Sequence, residues 1–534
     1  MIKITFIGAG SVGFTRRLAH DVLQVPELRD TAFSLHDINE HNLSMVAQIL
    51  KKDVEANGLP ARIETSLDRR EALEGADYVI NCTRIGGLEA FESDIDVPLQ
   101  YGVDQCVGDT LCAGGLMYAQ RNVPQLLAFS KDALEVGNSS RTGGVKLLNY
   151  ANPMAMNTWA ALDAFDAGEG VDTIGLCHGV EHGWEQIAEA LAKLHGDDGL
   201  LEDGKDSKWG HEGPHRKLVD VDCVGINHQT WFTRVLYRGR EVGPEELLEA
   251  FLAHPTLPTT EKVRVDVLKR FGCYSTESNG HLSEYLPWYR KRPDEIRDWI
   301  DLKSWINGET GGYLRVCKEG RNWFETDFPR WLDEAGKPRE EWGRSTEHGS
   351  HVIEALETGR PYRGHFNVRN RGVVTNLPAD CVVEAPGYVD RTGVHVSAGH
   401  TLNLACAATC NASVSVQRMG KEAAVRGDVR LLKQAMLHDP LVAAVCNPEE
   451  VWQMTDHLLA TQREWLPQYA EADLDAAAER MKHPTVETRD WEGAARVEAQ
   501  TVEQLRASGA GDVMDADKGK LRDKPAQKAA KAEA

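Results

Sequence analysis

The chain has 534 residues, with 60 Lys and Arg against 82 Asp and Glu, a formal charge of −22 and 42% hydrophobic residues. That length predicts two lobes rather than one core, and the negative field excludes nucleic acid as the partner. No apolar run approaches the roughly 18 residues a membrane span needs, and the 11 cysteines, scattered from Cys82 to Cys446, read as reduced thiols, so the expected setting is cytoplasmic with no membrane partner.

Short apolar runs predict buried parallel strands at Ile2 to Ile7, Ala32 to Leu35, Ala76 to Cys82, Val145 to Tyr150 and Val171 to Cys177, mostly separated by helical stretches. This is the pattern of an α/β fold, a Rossmann-type doubly wound parallel sheet. From about Asp220 the periodicity loosens into a second, mixed α+β domain, with a stretch punctuated by Pro and Gly from Arg360 to Gly399 and a helical region from Val429 to Met481 broken at Pro440. The expected division is residues 1–200 for the first domain and 201–480 for the second. Residues 509–534, nearly devoid of large apolar side chains, are expected to form a disordered tail.

Gly8-Ala9-Gly10-Ser11-Val12-Gly13 directly follows a strand and opens a helix. Gly8 suits the tight turn, Gly10 a place where a side chain would block a pyrophosphate, and Gly13 close helix–strand packing. Asp37, about 24 residues beyond Gly13, stands where an acid meets ribose hydroxyls. The expected cofactor is therefore NAD, at Gly8, Gly10, Ser11, Gly13 and Asp37, with Asn81 on the loop Asn81 to Gly87 beside it. Asn152, before Pro153, closes the next strand with its amide free to face a hydroxyl.

Cys177-His178-Gly179 ends the strand from Val171, and Asn227-His228 lies some fifty residues on. Thiolate and imidazole on facing loops can hold a divalent cation; a core thiol with a satisfied histidine, or a zinc site using His178 or His182, reads the same residues differently. Tyr274 to Tyr285 is dense in groups that bind sugars or move protons, and Arg290-Lys291-Arg292 follows it. In an acidic chain that cluster suggests either recognition of a carboxylate or a solvated cationic face.

Together these motifs, with Val103 to Thr110 and Asn376-Leu377-Pro378 leading to Val382-Val383-Glu384, resemble glycoside hydrolase family 4, the NAD- and Mn²⁺-dependent glycosidases. The resemblance runs from Ile2 to about Tyr469. It implies a redox route to glycoside cleavage: transient oxidation at sugar C3, loss of the C2 proton, elimination of the glycosidic oxygen, addition of water and return of the hydride. The family stands outside the usual paired-carboxylate mechanism. By position, Cys177 and His228 become metal ligands, and Asn152 and Asp109 bind sugar hydroxyls. His178 occupies the place of an Asp acid, and Tyr274 is the candidate base. Asn279 stands where some relatives carry an Asp, and Cys112-Ala113 replaces a common Gly-Pro. The Cys-His-Gly signature, with Glu277, Asn279, His281, Arg290 and Arg292 as substrate contacts, resembles the α-galacturonidase and α-glucuronidase subgroup, so the expected substrate is an acidic α-galacturonide. The alternatives are a neutral α-galactosidase or α-glucosidase of the same family, and an NAD-dependent sugar dehydrogenase. The resemblance further implies a homo-oligomer, dimer or tetramer.

Overall fold

The structure, a computed structural model, describes residues 1–140, 143–165, 170–202, 213–302, 308–338, 344–345 and 347–508; the tail expected at 509–534 lies outside the described residues. Six strands, β1 (Lys3–Ile7), β2 (Ala32–His36), β3 (Arg62–Ser66), β4 (Tyr78–Asn81), β5 (Val145–Asn149) and β6 (Val171–Gly175), pair in parallel in the order β3-β2-β1-β4-β5-β6. That is the dinucleotide-binding order, with its switch point at β1 and β4. The inner strands are apolar runs because helices cover both faces. Edge strand β3, Arg-Ile-Glu-Thr-Ser, is mostly exposed and so carried no apolar signal.

The later strands extend this sheet. They are β7 (Val219–Ile226), β8 (Gln229–Tyr237), β9 (Arg240–Glu241), β10 (Tyr274–Ser275), β11 (Tyr362–Arg369), β12 (Val382–Asp390) and β13 (Gly393–Val396). The order continues from β6 through β11, β12, β7 and β8 to β10, with β13 on β12 and β9 on β8. The joints are single pairs, Gly175 with Asn367 and Glu384 with Gly225, flanking the longer β11–β12 ladder in which Asn367 faces Glu384. This row, Gly175, Asn367, Glu384 and Gly225, brings the end of β6 and the end of β7 to one place.

Behind it, Leu116 and Met117 of the helix Cys112–Val136 pack with Val416 of the helix Leu404–Arg426, Met436 of Val429–His438 and Leu458 of Pro448–Thr461 in one apolar cluster. The expected break at Pro440 is the start of a separate short helix, Pro440–Val445, capped by Asp439. Among the described residues no helix is long and apolar enough to cross a membrane.

Candidate active site

The turn after β1 is built by its glycines. Gly8 has φ +88°, and a Cβ there would stand 3.0 Å from the Cys82 carbonyl and the Thr83 nitrogen. Gly10 packs against Asp37: its N–H donates to Asp37 Oδ2 at 2.8 Å, and a Cβ would meet the same oxygen. The other Asp37 oxygen accepts from Asn39 N. Ser11 precedes the helix Val12–Leu23 without capping it through its side chain, which leaves the first-turn N–H groups free. Asn81 is buried across the strand ends, donating to Asn149 Oδ1 at 2.9 Å and accepting from Thr83 Oγ1 at 2.9 Å. It shapes the loop after β4 from beneath.

Cys177 follows β6, and His228 sits in the two-residue turn between β7 and β8 with φ +59°. A left-handed histidine is uncommon and costs on the order of 1 kcal/mol. The strain places Nε2 3.6 Å from Cys177 Sγ. Glu277 brings Oε1 to 3.9 Å from the same nitrogen, and the donor atoms of Cys177, His228 and Glu277 all lie within 4.8 Å of one another. Gly179 makes room for that carboxylate, since a Cβ would run into Glu277 Oε1.

A second group shares His228. Asp109, His228 and His281 also cluster within 4.8 Å. Asp109 Oδ2 accepts from Asn152 Nδ2 at 2.6 Å, while Oδ1 accepts from Thr110 Oγ1 at 2.9 Å and Tyr285 Oη at 3.4 Å. His281 bridges the carboxylates, with Nε2 3.6 Å from Asp109 and Nδ1 3.4 Å from Glu277. The Asn152–Pro153 peptide that presents the Asn152 amide is cis.

Burial and charge compete here. Burial alone would lower His281, but the neighbouring Asp109 and Glu277 carboxylates raise it to about 9. Burial would raise Asp109, yet His281, His228 and Arg84 hold its carboxyl far below the usual range. Glu277 is likewise lowered, since the charges of His228, His281 and His178 outweigh its burial. Burial lowers His228, against the opposing charges of Glu277 and Asp109. Burial, with Glu277 and Glu384 nearby, pushes the Cys177 thiol well up.

Several expected site residues lie elsewhere. Tyr274 is fully buried between Phe232 and Phe251, its hydroxyl donating to Gln186 Oε1 at 2.9 Å and its ring under Arg264. It packs in the core and does not serve as the base. Arg290 is 1% exposed and ion-paired with Asp104, also donating to Gly308 O at 2.7 Å. Arg292 is exposed and pairs with Glu295 at 2.8 Å. The Arg290 guanidinium is fully used inside the protein, while that of Arg292 stands at the surface. The Asn279 amide is occupied by Val263 N and Trp299 O, so it anchors its helix rather than binding sugar. His178 stands at the N-cap position of the helix Gly179–His195 without a side-chain capping bond, half exposed, with Nδ1 3.8 Å from Glu347 Oε1.

Three further residues complete the site without a local signal of their role. Thr110 and Tyr285 lie within motifs whose spacing does not mark them. Arg84, at the end of β4, has its guanidinium over the rings of Phe91 at 4.2 Å, Tyr118 at 4.7 Å and Tyr313 at 5.3 Å, and within the field of Asp109. Its position after a strand is a signal and Phe91 lies on the next helix, whereas Tyr118 and Tyr313 come from distant helices.

The family described as family 4 glycosyl hydrolase matches residues 3–193, and its C-terminal domain matches residues 223–442. The chain is 60% identical over 505 residues to an α-galactosidase of Rhizobium meliloti (strain 1021), covering 95% of this chain and 97% of that one. It is 28% identical over 457 residues to an α-galacturonidase of Bacillus subtilis (strain 168), covering 83% and 93%. The fold is shared with the 6-phospho-β-glucosidase of Thermotoga maritima solved with manganese, NAD⁺ and glucose-6-phosphate, at a TM-score of 0.63 and 21% identity, over 87% of this chain and 99% of that one.

Proposed function

Because the chain belongs to glycosyl hydrolase family 4, we propose that it is an α-galactosidase that acts on the neutral sugar with NAD and a divalent cation such as Mn²⁺. The observation that carries the substrate is the identity with an α-galactosidase along nearly the whole chain, far above that with the galacturonidase. The side chains agree with it in one respect, since Arg290 and Arg292 are engaged by Asp104 and Glu295.

Both cofactors suit the residues present. The closed Gly8 turn and the uncapped N-terminus of the helix Val12–Leu23 match what a pyrophosphate needs. Thiol, imidazole and carboxylate together suit a transition-metal cation. A thiol that burial holds protonated becomes a ligand when a cation lies beside it. When bound, NAD supplies a reversible hydride acceptor and the cation a Lewis acid for the sugar oxygens.

The chain's own groups do the rest. Cys177, His228 and Glu277 hold the cation. The Asn152 amide and the Asp109 carboxylate sit side by side as donor and acceptor for sugar hydroxyls. His281, charged, keeps Asp109 and Glu277 together in one pocket. With Tyr274 in the core and Glu277 given to the cation, the Asp109 carboxylate is the base at the sugar. His178 hands a proton to the leaving oxygen, its other ring nitrogen held by Glu347.

A panel of nitrophenyl glycosides, assayed with NAD⁺, Mn²⁺ and a thiol, tests the reading. The α-galactoside is expected to be the best substrate, with no net reduction of the nicotinamide. Preference for the α-galacturonide, or accumulation of NADH, would contradict it.

A further inference from the structure

His228 needs a fixed tautomer to serve as a ligand, and the protons around it can be accounted for. Thr110 Oγ1 lies 2.9 Å from Asp109 Oδ1 and 2.8 Å from His228 Nδ1. A hydroxyl has one proton to give. Asp109 is a carboxylate already ringed by donors from Asn152 and Tyr285, with His281 beside it, so the Thr110 proton goes to Asp109. Tyr285 Oη also lies 3.5 Å from His228 Nδ1 and gives its proton to Asp109, so both hydroxyl oxygens accept and His228 Nδ1 carries the hydrogen. A neutral imidazole has only one N–H, which leaves Nε2 with its lone pair toward Cys177 Sγ.

Thr110 has no regular secondary structure to hold it. The preceding backbone instead converges on one buried carboxylate: Glu284 Oε2 accepts from Cys106 N at 2.8 Å and Val107 N at 3.0 Å, and Oε1 from Gly108 N at 3.0 Å. On the far side, Asp439 Oδ2 accepts from Cys112 N at 2.8 Å. Between these two anchors Asp109 and Thr110 face the site. Glu284 is fully buried on the same short helix, Asn279–Tyr285, as His281 and Tyr285, so one helix fixes the loop and contacts Asp109 at once.

We propose that Glu284 and Thr110 are positioning residues for the metal site: Glu284 fixes the loop, and Thr110 fixes the His228 ring with Nδ1 protonated and Nε2 free to bind the cation. This rests on the reading that Cys177 and His228 hold a cation. It assigns Thr110 to the outer contacts that tune a metal ligand's affinity.

The test is a titration of the full chain, free of NAD, with Mn²⁺ alone, in which free Mn²⁺ is counted by electron paramagnetic resonance and folding is checked by thermal melting. Thr110→Val, which keeps shape and loses the hydroxyl, should weaken binding by about tenfold to a hundredfold, and Thr110→Ser should restore most of it. Glu284→Gln, which turns an amide N–H₂ toward backbone donors, should weaken binding in the same direction while the folded fraction is unchanged. Wild-type affinity in folded Thr110→Val and Glu284→Gln would overturn the proposal and leave the metal reading standing. Failure of the wild-type chain and Cys177→Ser to differ in Mn²⁺ binding would overturn both.

Discussion

Cys177 Sγ and His228 Nε2 stand 3.6 Å apart, although 51 residues separate them in the chain. The sheet explains the meeting, because the end of β6 and the end of β7 fall on one row through Asn367 and Glu384. The same row makes the pair a sensitive target. Replacing Cys177 with Ser removes the one soft donor, and activity with Mn²⁺ is expected to fall by about a hundredfold or more, with NAD⁺ binding measured by fluorescence unchanged. Retained activity would remove the thiol from the metal site.

Gly179 is predicted to tolerate no side chain. A Cβ there runs into Glu277 Oε1, so Gly179→Ala must push that carboxylate out of the cluster it shares with Cys177 and His228. Turnover should drop at least about tenfold, the scale of a displaced outer or inner ligand, while the melting temperature changes little. Full kcat in Gly179→Ala would show that Glu277 is not needed where it stands.

Arg84 offers a cation to the pocket through stacking rather than through a salt bridge. Arg84→Met should raise KM for a nitrophenyl α-galactoside more than it lowers kcat, by about tenfold for a lost charged hydrogen bond. An unchanged KM would place the guanidinium outside the sugar's reach.

Arg290 makes the opposite case. It and Asp104 are both fully shielded from solvent in their ion pair, and Thr310 Oγ1 and Ala494 N also bond that carboxylate. Arg290→Met strands a buried charge and should cost about 3–5 kcal/mol of stability, read as a lower midpoint in urea. The ratio of activity on acidic to neutral glycosides should not move. A shift in that ratio with stability intact would restore Arg290 to the substrate.

How much of this was legible varies by residue. The inner strands and the Gly8 turn announce themselves through apolar runs and strand-end position, whereas Cys177 and His228 become a pair only through the family resemblance. Edge strand β3 is hidden because solvent on its faces removes the apolar signal. Arg290, Lys291 and Arg292 look like one cluster in sequence, yet Arg290 turns inward to a carboxylate 186 residues away. Tyr274 is adjacent in sequence to site residues, but alternation along β10 points it into the layer of Phe251 while Glu277, two residues beyond the strand, reaches the site. Thr110 and Glu284 gain their roles from contacts across 118 and 176 residues, which no local pattern encodes.

A pH dependence of stability is expected at Asp21, which reaches Glu347, the partner of His178, through Ser345. Asp21 is buried, and desolvation, opposed by hydrogen bonds from Ser345 and the charges of Arg344 and Arg17, raises its pKa from 3.8 to about 7. The folded chain therefore holds this proton more tightly than the unfolded one. The resulting stabilisation is complete below 3.8 and is lost as pH rises through about 7. Asp21→Asn keeps an acceptor for the Ser345 N–H, and its melting temperature should lose the part of the slope that falls between those limits. An identical slope in the variant would assign the titration to another group.

Under the proposed function, a hydride lent to NAD and returned to the sugar frees the glycosidic bond. The most direct measurement of this is the turnover of a nitrophenyl α-galactoside carrying deuterium at C2, with Mn²⁺ present and NAD⁺ either supplied or stripped away. Slower turnover of the deuterated sugar and no turnover without NAD⁺ are expected. Equal rates for both sugars, together with full activity in the stripped protein, would contradict it.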